Sequence, residues 1–106
     1  MQPGRPRLIV VLVASWAMAA PAEAATIQIV MQNLGFSPAE ASAKVGDTIE
    51  WTNKDIVAHT ATARNGDFDV MLQPNKTASF VLKKVGAVDY YCRFHPNMKA
   101  ALKIEQ

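Results

Sequence analysis

The residues best equipped for chemistry fall in one short run, Tyr90-Tyr91-Cys92-Arg93-Phe94-His95-Pro96-Asn97-Met98. A thiol, an imidazole and a thioether recur there at intervals of three. A segment this short can curl around one ion and present all three donors to it. The same spacing suits one face of a helix, but Pro96 directly after His95 argues for a turn instead.

The donor types select the metal. Structural zinc generally takes four cysteine or histidine ligands, and calcium and magnesium take oxygen. One thiolate, two imidazoles and a distant methionine sulfur form the trigonal-plus-axial set of a blue-copper electron-transfer site. The run supplies one imidazole, and the chain has two histidines in all, so the second is His59. The expected metal ligands are therefore His59, Cys92, His95 and Met98, holding one copper ion in a type 1 site. Taken singly, each has an ordinary reading: a buried thiol, a hydrogen-bonded histidine, a core methionine. Their joint occurrence is what favours the metal.

Elements must bring His59 to the Cys92 loop. The rest of the chain is short segments rich in β-branched and aromatic residues, which predicts an all-β fold. Alternation over Thr26 to Met31 puts Ile27, Ile29 and Met31 on one face. Asp47 to Asn53 turns Ile49 and Trp51 inward, and Thr77 to Leu82 turns in Ala78, Phe80 and Leu82. Ala87 to Cys92 does so with Val88, Tyr90 and Cys92, and Ala100 to Ile104 with Ala100, Leu102 and Ile104. Val45-Gly46-Asp47, Asn65-Gly66, Pro74-Asn75 and Lys84-Val85-Gly86 read as turns, and Asn53 and Asp55 as turn formers. Strands and turns at such intervals suggest a sandwich or small barrel. Tyr91 is expected to face outward.

The N-terminus has a different character. Arg5 and Arg7 precede an almost wholly apolar run, Leu8 to Ala20, and Ala22-Glu23-Ala24 has the form of a signal-peptidase site. Residues 1–24 are expected to be a secretory signal peptide, leaving residues 25–106 as a single domain. The apolar run is short for a membrane span, so the mature form is expected to have none, a retained anchor being the alternative. Cleavage after Ala24 leaves 82 of the 106 residues and lowers the net charge from +2 to +1. That charge offers no basic face for nucleic acid. A domain this small has a marginal core without a disulfide or a metal, and a single cysteine cannot close an internal disulfide. Cys92 therefore needs another explanation in an oxidising compartment.

With these residues in view, the sequence resembles the cupredoxins, and within them the amicyanin group. The resemblance rests on the short Cys-x2-His-x2-Met loop, the Trp-x-Asn-x-Asp-x-x-x-His approach to His59 and the Gly-x-x-Asp-Tyr-x-Cys stretch from Gly86 to Cys92, and it spans about Ile27 to Ile104. It implies a Greek-key β-sandwich with copper at one end. The strong ligands would then be His59, Cys92 and His95, with Met98 axial. Arg93-Phe94 stands where Thr-Pro is usual in that group, Asn97 where an aromatic is usual, and Thr60 where asparagine often follows the first histidine.

The expected role is a periplasmic, monomeric one-electron carrier between a donor and an acceptor protein, with no enzymatic activity. Phe94 and Pro96 would form an apolar docking patch beside His95, with Arg93 and Lys99 as a basic rim. A copper-handling protein without an electron-transfer role is the alternative, although Met31, Met71 and Met98 form no cluster. A metal-free scaffold would leave the loop unexplained. A copper oxidase or reductase needs an open coordination position or further copper centres, which two histidines cannot supply.

Overall fold

The computed structural model describes Gly4 and residues 23–106, so the proposed leader falls almost wholly outside the described residues. The described chain is all-β. The nine strands are β1 (Thr26–Gln32), β2 (Gly35–Ser37), β3 (Glu40–Lys44), β4 (Thr48–Asn53), β5 (His59–Ala63), β6 (Asp69–Leu72), β7 (Thr77–Val81), β8 (Gly86–Cys92) and β9 (His95–Glu105). They form two sheets, ordered β2-β1-β4-β7 and β3-β9-β8-β5-β6. The β1–β4 and β3–β9 pairs are parallel, and the remaining pairs are antiparallel. Among the described residues no helix is long and apolar enough to cross a membrane.

Period-two burial explains why these segments pair face to face. Ile29, Met31, Ile49, Trp51, Val88, Tyr90, Leu102 and Ile104 all point into one core, as their alternation requires. At its centre Trp51 lies 5.1 Å from Phe68 and 5.8 Å from Tyr90, and Phe36 packs edge-on against Tyr90 at 4.8 Å. The Trp51 indole nitrogen and the Tyr90 hydroxyl are buried without a hydrogen-bond partner. Burial pushes the Tyr90 phenol up to about 12. The phenol therefore stays neutral and behaves as core.

Four strands were not visible as alternating patterns: β2, β3, β5 and β6. The first is three residues long. In β3 (Glu-Ala-Ser-Ala-Lys) and β5 (His-Thr-Ala-Thr-Ala) the inward positions are largely alanines, which contribute little to strand propensity. Each of the expected turn segments joins or opens strands, with positive φ at Gly46, Gly66, Asn75 and Gly86. The first of these is held by Asp47, whose carboxylate accepts from the amides of Ala25 (2.9 Å) and Lys44 (2.8 Å). Those amide contacts outweigh desolvation and hold its carboxyl below the ordinary value.

Candidate metal centre

β8 and β9 form a hairpin in which Cys92 pairs with His95 across the two-residue turn Arg93-Phe94. The next ladder pair is Tyr91 with Lys99, so Pro96, Asn97 and Met98 bulge out of register between the two pairs. The expected loop is thus a hairpin tip plus a bulge. The bulge turns Met98 inward, where it is 2% exposed, and leaves Pro96 and Asn97 on the surface.

β5 runs beside β8 in the same sheet, which brings its first residue, His59, to this end of the sandwich. The Nδ1 atoms of His59 and His95 lie 3.7 and 3.6 Å from Cys92 Sγ. All three donor atoms fall within 4.8 Å of one another. His59 and Cys92 are fully buried, and His95 is half-buried. Met98 belongs to the hairpin bulge and shares a surface recess with His95, Phe94, Pro96, Asn97 and Leu34.

Asp55 orients the His59 ring from behind. The ring Nε2 lies 2.7 Å from Asp55 Oδ2. The same carboxylate accepts the Asn33 amide at 2.7 Å and the Leu34 amide at 3.0 Å. Desolvation raises the Asp55 pKa, but the Leu34 amide, His59 and the Asn33 amide together hold it below the ordinary 3.8. An ionised carboxylate only accepts, so the Nε2–H of His59 donates to it, and Nδ1 is the ring nitrogen that faces Cys92. Sequence reasoning assigned Asp55 to a turn; the structure adds that it orients a donor. The two amides it holds belong to a tight turn in which Asn33 and Leu34 have φ of 54° and 56°. Asn53 is also more than a turn former. Fully buried, it donates to the carbonyls of Val57 (2.8 Å) and Leu72 (3.0 Å) and accepts the Asp55 amide at 2.9 Å, which shapes the whole approach to His59.

Thr60 fastens the other side. Its amide lies 3.3 Å from Cys92 Sγ, and its hydroxyl accepts the Arg93 amide at 2.8 Å. One cysteine sulfur and two imidazole nitrogens, two of the three donors buried, make a soft donor set, and these residues fit copper by donor chemistry.

Arg93, expected as part of a basic rim, is exposed and has an acidic neighbour. Its Nε lies 3.1 Å from Asp69 Oδ1, so its guanidinium is committed to an ion pair. Lys99 is exposed, and Tyr91 lies on the outer face beneath Arg64, 4.3 Å from ring centre to guanidinium carbon.

Two facing sheets with a cysteine-and-histidine donor cluster at one end define a mononuclear metal-binding β-sandwich. The Cupredoxin-like domain family matches over residues 7–104, and the chain belongs to that family. It is 30% identical to Amicyanin-alpha of Methylorubrum extorquens over 79% of this chain and 76% of that protein. Among solved structures it is similar to a purple cupredoxin from Nitrosopumilus maritimus, at 28% identity and TM-score 0.67, covering 74% of this chain and 99% of the other. A mutant amicyanin in its reduced state superimposes with TM-score 0.67 at 26% identity, covering 76% and 82%.

Proposed function

We propose that this chain is an exported blue-copper protein that carries single electrons between redox proteins. His59 Nδ1, Cys92 Sγ, His95 Nδ1 and the Met98 sulfur would hold the copper. The observation that carries the reading is the pre-set donor cluster, with Nδ1 of His59 freed by the Asp55 contact and both imidazole nitrogens within 3.7 Å of one sulfur. Kinship with amicyanins supports the electron-transfer role, and the charged, apolar and small-residue order of residues 1–24 supports export to the periplasm.

Copper, when bound, supplies a one-electron couple. The protein's part is to keep the donors nearly still through that change. His59 is held by Asp55 and Cys92 by Thr60, and His95 is tied into the hairpin. Buried apolar neighbours exclude water from the sulfur. His95 alone of the three reaches the surface, where Leu34 and Phe94 are about half exposed and offer a partner an apolar approach. The four donors leave no open position for a substrate, which favours a carrier over an enzyme.

Cyclic voltammetry of the copper-loaded protein tests the role. A reversible one-electron wave that stays narrow at rising scan rate is expected. Loss of copper on each reduction would move copper handling to the front.

A further inference from the structure

A closed hydrogen-bond ring lies behind the ligand hairpin. Thr62 Oγ1 donates to Asp69 Oδ1 at 2.7 Å, which uses its only hydrogen. The Thr60 hydroxyl, 2.9 Å from Thr62 Oγ1, must therefore donate into it. That orients a lone pair of Thr60 Oγ1 toward the Arg93 amide, 2.8 Å away. Arg93 Nε closes the ring on Asp69 Oδ1 at 3.1 Å. Backbone and side chain of the residue after Cys92 thus both donate into one network across β5 and β6, its two arms converging on the Asp69 carboxylate. Thr60 lies on the outer face of its sheet yet is fully buried, because the hairpin covers it.

We propose that Thr62 and Asp69 are positioning residues for the Cys92 sulfur: by fixing the direction of the Thr60 hydroxyl, they lock the hairpin tip and hold the Thr60 amide on Sγ. Neither side chain is hydrogen-bonded to His59, Cys92, His95 or Met98. A hydroxyl with no acceptor ahead of it would rotate among partners, and the Arg93 amide would lose a steady one. The potential part of this inference rests on the copper reading above, whereas the hairpin lock does not.

Hydrogen exchange and voltammetry on the full chain, without and with copper, test it. Thr62→Val keeps the side-chain shape and removes both the donor and the acceptor. In the metal-free protein the Arg93 amide should then exchange at least tenfold faster, while core amides such as that of Leu102 are unchanged. In the copper protein the reduction potential should fall, because a weaker N–H contact leaves the thiolate a stronger donor to oxidised copper. Thr62→Ser restores the hydroxyl and should return both readings to those of the native protein, and the surface substitution Asp69→Asn should fall between. Arg93 exchange within twofold of native in Thr62→Val would overturn the proposal whether or not the chain takes copper. So would equal shifts in the Val and Ser variants. Faster exchange with an unmoved potential would overturn the claim on the sulfur.

Discussion

Replacing Asp55 with alanine is expected to weaken copper binding about 10–100-fold, the range typical of partners that orient a metal-bound histidine. Three contacts disappear together: the His59 Nε2 contact and the acceptor for the Asn33 and Leu34 amides. Without them the fully buried His59 ring can take either tautomer, and only one offers Nδ1 to the metal. The turn loses its tie as well, although Leu34 must still hold a φ of 56° that a side chain disfavours. Asp55→Asn keeps one oxygen acceptor but swaps the other for an amide NH2, so its loss should be smaller. Competition against a chromophoric chelator measures the change. An affinity within twofold of native for Asp55→Ala would mean that His59 is oriented by packing alone.

The largest loss of stability should come from Trp51→Ala. This side chain is 0% exposed and touches the aromatic rings of Phe68 and Tyr90 at the centre of the sandwich. Truncating such a residue costs about 3–5 kcal/mol, against the ~5–15 kcal/mol by which domains are usually stable. In a domain this small the metal-free variant should be near the edge of folding. Copper binds the folded form, and ligand at about 1,000 times its Kd adds ~4 kcal/mol, so the loaded variant should recover much of the loss. Urea unfolding with and without copper reads both effects. A loss below about 1 kcal/mol would show that the core closes around the gap.

What the sequence made legible follows from the range over which each signal acts. Cys92, His95 and Met98 stand within seven residues, so their spacing alone announces a shared ion. Inward alternation of Ile49 and Trp51, or of Val88, Tyr90 and Cys92, is a local pattern, and an all-β sandwich or small barrel can be inferred from it. The small strand β5 escaped because Ala61 and Ala63, though fully or nearly fully buried, are too small to mark an inward face. Asp55 carried a signal, its place four residues before His59, but the turn-forming habit of aspartate accounted for it equally well. The Thr60, Thr62, Asp69 and Arg93 ring had none. It depends on the pairing of β5 with β6 and on a hairpin that begins at Gly86, and neither can be read from residue types. For the same reason the Arg93–Asp69 ion pair has no sequence signature.

The most direct test of the site is the visible absorption and EPR spectrum of the protein with Cu(II), recorded beside Cys92→Ser. An intense blue thiolate-to-copper band with a narrow copper hyperfine splitting, both lost in the variant, is the predicted result. A colourless protein, or ordinary tetragonal copper signals that survive the substitution, would contradict the assignment of Cys92 as the ligand that makes this an electron-transfer centre.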